Sequence, residues 1–185
     1  ILYHVDDLKI SYRDHSVIDD MATVINDTFK TKNQSLSVTK GNTHDYLGIG
    51  IDFNRKDCVT FTMYEYLEDI LKEADERGDM NGTAVTPASD DLYTVDESSP
   101  KLSDEMSDYF HCVTARFRFA AKRARPDIQV AVAYLCTRVK CPTESDYHKL
   151  RRLVKYICIS IHLPLIIKWD QSGELVWSVD ASFVV

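Results

Sequence analysis

The chain has 185 residues, 44% apolar and 28% charged, enough for one ordinary domain or two small ones with a substantial core. That balance excludes an intrinsically disordered chain, and apolar runs of only a handful of residues, such as Leu163 to Ile167, exclude a membrane protein. The net charge of −7 conceals a division: residues 1–110 carry 10 Lys or Arg against 23 Asp or Glu, whereas residues 111–168 carry 12 against 3, so one electropositive region sits in an acidic chain.

In chain order, Ile1 to Ser11 reads as two short strands around Val5, Asp6 and Asp7, a hairpin with carboxylates at its tip. Ser16, with Asp19 three residues on, is placed to cap a helix in which Ile18, Met21, Ala22, Ile25 and Phe29 recur at helical spacing, ending near Lys30. Leu47, Ile49, Ile51 and Phe53 then alternate with Tyr46, Gly48, Gly50 and Asp52, and Val59, Phe61 and Met63 alternate again after the polar turn Asn54 to Asp57. This predicts a second hairpin with one apolar face. From Tyr64 the period changes to helical through Leu67, Ile70, Leu71 and Ala74, with a stop near Gly78.

Residues 79–103 are rich in Asp, Ser, Thr, Gly and Pro without a period, and a loop of that length is expected to be functional or mobile. Three helical segments follow, read as a small bundle. The first carries Met106, Phe110, Val113 and Phe117; the second starts near Pro126; the third is capped by Thr143 and carries Tyr147, Leu150, Val154 and Ile157. Leu165 to Trp169 and Leu175 to Val179 are β-like runs around the turn Gln171, Ser172, Gly173. The ends of the chain, Ile1 to Tyr3 and Phe183 to Val185, are apolar where termini are usually polar, which suggests a piece of a longer chain.

Five cysteines without a C-x-x-C pair point to a reducing compartment, and no secretory signal opens the chain. Cys136, Cys141 and His148 match no common zinc spacing, so the thiols are expected to be buried packing groups, and Tyr134, Tyr147 and Tyr156 are expected in the core. The Asp6, Asp7 pair is the sharpest local feature. Adjacent carboxylates repel each other, and a cation beside them removes that cost; Mg²⁺ bound by carboxylates and substrate phosphates is the usual arrangement for in-line phosphoryl transfer. A solvated acidic turn is the simpler reading of two aspartates alone. For the basic region, the simpler reading is a set of solvated helix faces, and the functional one is a phosphate-binding surface.

The order of the motifs bears on that choice. Leu2-Tyr3-His4-Val5-Asp6-Asp7-Leu8 resembles the aromatic-x-Asp-Asp hairpin of reverse transcriptases in the form used by copia-type retrotransposons, although His4 stands where that family usually has Tyr. Asp45-Tyr46-Leu47-Gly48-Ile49 is similar to the family's primer-grip hairpin, and Thr86-Pro87 to its thumb loop dipeptide. Arg123-Ala124-Arg125-Pro126-Asp127-Ile128 resembles the Arg-Pro-Asp-Ile segment, Arg151 to Tyr156 the basic helix, and Val179-Asp180-Ala181-Ser182 the first strand of the attached ribonuclease H.

The resemblance implies an α+β chain. Residues 1–63 would be the C-terminal part of the palm, 64–162 the helical thumb and connection, and 163–185 a short hairpin beginning a ribonuclease H-like domain. It implies Asp6 and Asp7 as catalytic Mg²⁺ ligands, Asp180 as a metal ligand of the nuclease, and Tyr46, Leu47 and Gly48 as primer grip. Partners would be an RNA template with its DNA primer, deoxynucleotides, and the N-terminal palm and fingers and C-terminal ribonuclease H of the same polyprotein, without a membrane, in a cytoplasmic particle or the nucleus. The chain on its own would be inactive, since the family's remaining acidic ligands are not among its motifs. Sequence-neutral grip relies on phosphate contacts, for which Lys122, Arg123, Arg125, Lys149, Arg151, Arg152 and Lys155 are the candidates. A non-catalytic nucleic-acid-binding relic or co-opted thumb, and an α+β domain with no nucleic-acid role, remain as alternatives.

Overall fold

The computed structural model describes residues 1–5, 7–30, 36–79, 81–170 and 172–174. Asp6, Asp180 and the run Leu175 to Val179 lie outside the described residues. The described chain is mixed α+β, with two small antiparallel sheets and five α-helices. No described helix is long and apolar enough to cross a membrane.

Strands β1 (Leu2–His4) and β2 (Asp7–Lys9) form the expected hairpin, with His4 opposite Asp7, and Val5 turns at φ +52°. Helix α1 (His15–Phe29) follows and buries no residue; Ile18, Met21, Ala22 and Ile25 are only half-buried and Phe29 is exposed. Its cap is Asp14, not Ser16: Asp14 Oδ1 accepts from the Ser16 N–H at 2.9 Å and from its hydroxyl. A carboxylate outcompetes a hydroxyl there because it also meets the positive end of the helix dipole.

The second sheet has the order β3-β4-β5-β6, built from Thr43–Tyr46, Ile49–Asp52, Cys58–Thr62 and Leu165–Lys168. The hairpin expected from Leu47 onward is β4 with β5, but the alternation breaks at Leu47 and Gly48, where the chain reverses and β3 pairs back onto β4. Both turn residues have positive φ, +57° and +70°, the geometry that suits a two-residue hairpin connection. Of the hairpin expected at 163–185, only the first strand, β6, lies among the described residues. Leu165 to Lys168 pair with Cys58 to Phe61 and complete the sheet of residues 43–62, where they gain ladder hydrogen bonds on the β5 edge.

Helix α2 (Tyr64–Glu76) turns Leu67, Ile70, Leu71 and Ala74 inward. Helix α3 (Asp104–Ala121) is capped by Ser103 and carries Asp104 and Glu105 in its first turn and Arg118 in its last, complementing its dipole at both ends. A short 3₁₀ turn, Pro126–Ile128, leads into α4 (Gln129–Arg138), and a capping box of Thr143 and Asp146 starts α5 (Glu144–Ser160). Phe110, Val113, Phe117, Ile128, Leu135, Leu150, Leu153 and Ile157 are buried in one core with the apolar face of α2.

In the segment 79–103 the described residues, 79 and 81–103, form a pinned strap. Leu92 is buried in the core, Lys101 bridges to Thr143, Leu102 N–H donates to Pro142 O, and Ser99 Oγ accepts from Ser145 N–H at 3.0 Å. Lacking a period, it satisfies its backbone partly in its own turns, at Ser89–Leu92, Asp91–Thr94 and Asp96–Ser99, and partly against the start of α5.

Candidate nucleic-acid interface

Two networks of buried charge organise the helices, and both draw on residues the sequence marked for phosphate. Arg125 is 1% exposed. Its Nε and Nη2 reach Asp127 Oδ1 and Oδ2 at 2.9 and 2.7 Å, and its Nη1 and Nη2 donate to Ser160 O and Oγ at 3.1 and 2.8 Å. Tyr156 hydroxyl also donates to Asp127 Oδ2 at 2.9 Å. Burial pushes the Asp127 carboxyl upward, but these donors outweigh it and hold it below the ordinary carboxylate range. Arg125 is thus a structural tie between the 3₁₀ turn and the end of α5, and its expected phosphate contact is corrected. Lys149 is corrected for the same reason: it is buried, and its Nζ donates to Thr94 O at 2.6 Å and Tyr134 hydroxyl at 3.2 Å, holding the strap to α5. Arg125 and Lys149 have their hydrogen bonds satisfied inside the protein, where an added phosphate finds no access.

The second network is centred on Asp79, the first residue of the strap, placed by the left-handed Gly78 that ends α2. Asp79 Oδ2 accepts from Tyr147 hydroxyl at 2.5 Å and from Tyr109 hydroxyl at 3.5 Å, and Oδ1 lies 3.0 Å from Arg151 Nε. Burial, then the neighbouring carboxylate, raises the Tyr109 phenol, and burial with the bond to Asp79 raises that of Tyr147, so both stay protonated donors. Arg151 is therefore steered by a carboxylate that is itself 5% exposed, while its own side chain keeps 29% exposure.

A cationic cleft results. His148, Arg151, Arg152 and Lys155 recur at i, i+3, i+4 and i+7 on one face of α5, and with Thr83 and Ala84 of the strap they line a polar cleft of about 150 Å³. Arg152 Nη2 is held by Thr86 Oγ1 at 2.9 Å. The strap passes close enough at Gly82, φ +89°, that a Cβ there would lie 3.7 Å from Lys155 Nζ. So three of the seven candidate phosphate contacts, Arg151, Arg152 and Lys155, line one cleft, and His148 joins them. The spacing on α5 carried that signal, whereas Asp79 and Thr83 lie in the aperiodic segment and were missed, and Thr86 was marked there only through the Thr86-Pro87 resemblance.

The other candidates lie apart. Arg123 stacks over Phe119, 3.5 Å from the ring centroid, with Nη1 on Phe119 O, and is half-buried. Lys122 caps α3 and borders, with Arg118, a cleft of about 250 Å³ floored by Ala121, Val132 and Cys136. Tyr46 ends β3, and Leu47 with Gly48 forms the turn, braced by Gly48 N–H donating to Asp45 Oδ1 at 3.3 Å. A leucine in the left-handed region carries a backbone cost that a purely structural turn avoids by using Asn or Gly.

Asp7 sits exposed on β2. Its carboxylate suits Mg²⁺ chemically, but it offers one ligand to an ion that prefers six, and no group of three His, Cys, Asp or Glu among the described residues is arranged to hold a metal. The described residues do not amount to a magnesium site. The thiols expected to be buried packing groups are not: Cys136 is half-buried and Cys141 is exposed. No family model, no curated protein and no solved structure matches the chain.

Proposed function

We propose that this chain is the duplex-holding part of an RNA-directed DNA polymerase of the copia type, gripping the RNA template and its DNA primer through their phosphates. The observation that carries the reading is the row of cations on α5, where Arg151, Arg152 and Lys155 face one cleft with His148 and are positioned by Asp79, Thr86 and the strap. Cations already fixed by a protein scaffold lose little side-chain freedom on meeting a phosphate, and contacts of this kind hold a duplex without reading its bases. The concentration of positive charge in residues 111–168 of an acidic chain and the order of the sequence motifs support the same reading. In the intact enzyme Asp6 and Asp7 would be the Mg²⁺ ligands at the polymerase centre and Asp180 a ligand of the nuclease.

A second reading, a grip module without catalysis, is favoured by one observation: among the described residues, the β1–β2 hairpin makes no extensive contact with any of the helices. Fluorescence anisotropy with a labelled RNA/DNA hybrid tests the shared core of both. Binding is expected to weaken steeply between about 50 and 200 mM salt, to be indifferent to sequence, and to survive Asp7→Asn while weakening in Arg152→Ala and Lys155→Ala. Absence of binding at the lower salt overturns both readings. Primer extension by the chain with Mg²⁺ would overturn the second.

A further inference from the structure

The α5 cleft differs from an open basic strip in ways that bear on its ligand. At about 150 Å³ it is well below the roughly 300 Å³ of the smallest drug-sized pockets, so it accommodates one small group. Its donors exceed what one backbone diester uses. Among the described residues Lys155 Nζ makes no hydrogen bond and His148 makes none; Arg151 donates only a long 3.4 Å bond to Gly78 O, and Arg152 donates only to Thr86. The Nε atoms of both arginines are buried without a hydrogen-bond partner, that of Arg151 lying beside Asp79 without the alignment a hydrogen bond needs.

Charge points the same way. Arg151, Arg152 and Lys155 contribute three positive charges, and Asp79 beneath Arg151 removes one. Asp91, on the strap, adds a further negative charge that interacts with Lys149 and then with Arg152. An excess near two, before any contribution from His148, matches a terminal phosphate, which carries about −1.5 to −2 at neutral pH and presents three acceptor oxygens. A diester in the middle of a strand carries one negative charge and presents two free oxygens, which leaves donors idle in a site that holds them ready.

We propose that this cleft, formed by His148, Arg151, Arg152 and Lys155 under the strap residue Thr83, is a seat for a terminal phosphate monoester, such as the 5′-phosphate end of a nucleic-acid strand. The proposal rests on the nucleic-acid reading above for that source; a free phosphate is the other source of the same chemistry. Each arginine is oriented by a separate anchor, Asp79 or Thr86, so the group is bracketed from two sides and Lys155 closes on it from the next turn of the helix.

The test uses the full chain and a short blunt RNA/DNA hybrid, labelled at a 3′ end and prepared with 5′-phosphate or 5′-hydroxyl ends. The phosphorylated hybrid is expected to bind about tenfold more tightly, and Arg152→Ala or Lys155→Ala to erase that preference. His148→Ala, an exposed position, guards against loss of folding and is expected to reduce the preference with an unchanged thermal midpoint. Equal affinity for both hybrids overturns the proposal and leaves the duplex-holding reading standing. If neither hybrid binds but inorganic phosphate raises the thermal midpoint of the wild type and not of Arg152→Ala, the seat is supported with free phosphate as its ligand and the duplex-holding reading falls. If neither hybrid binds and phosphate has no effect, both are overturned.

Discussion

Replacing Arg125 by Met keeps most of the side-chain volume in a site that is 1% exposed, so the loss reports on charge and hydrogen bonding and not on a cavity. The wild-type guanidinium makes four hydrogen bonds, two to Asp127 and two to Ser160. Removing one partner of a buried ion pair costs about 3–5 kcal/mol, because the survivor stays desolvated. Asp127 retains 24% side-chain exposure and the Tyr156 donor, so water and the phenol take up part of the deficit and the lower end, about 3 kcal/mol, is expected. With a urea dependence of about 2 kcal/mol per molar for a chain of this size, the midpoint should fall by roughly 1.5 M, read by circular dichroism of the helices. The double change Arg125→Met with Asp127→Asn should recover part of the loss, since no unpaired charge then remains. A single variant within about 1 kcal/mol of wild type would refute the argument that this pair ties the 3₁₀ turn to α5.

The same carboxylate sets an acid limit: a folded-state value held below the ordinary 3.8 means its stabilising contribution is present above that pH and is lost as pH falls through the lowered value, so wild type should lose stability more steeply than Asp127→Asn below about pH 4 in acid titrations. At the β3–β4 turn, Leu47→Asn should slow hydrogen exchange of the β3 and β4 amides, because the left-handed conformation at φ +57° costs a leucine about 1–2 kcal/mol; if the leucine serves the primer grip, the same variant should also weaken primer binding. Gly50→Ala should have the opposite effect on exchange, since its Cβ would fall 2.6 Å from Thr62 Oγ1 on the neighbouring strand.

Much of the fold was legible because its physics is local. Helices α2 to α5 carry their apolar residues at helical spacing, and the cap read at Thr143 coincides with the start of α5. The β4–β5 hairpin follows from alternation alone. Alternation continued through Leu47 and Gly48, however, and only the pairing of β3 with β4 shows that the chain reverses there. Of the candidate site, the row on α5 was readable from spacing, but the residues that complete the cleft were not: Asp79 and Thr83 sit in a segment with no period, placed by contacts with residues about 65–70 positions away.

The amino-acid sequence by itself determined the order and type of most elements and the division of charge, since propensity, periodicity and composition act between neighbours along the chain. It also placed seven cations in or near one basic region without distinguishing among them. The tertiary structure decided that Arg125 and Lys149 are spent inside the protein, that Arg151, Arg152 and Lys155 face a common cleft, and that the strand after α5 joins the sheet of residues 43–62. A guanidinium has the same formula buried or exposed. Which carboxylate or carbonyl meets it, and whether water still can, depends on residues that folding brings from elsewhere in the chain.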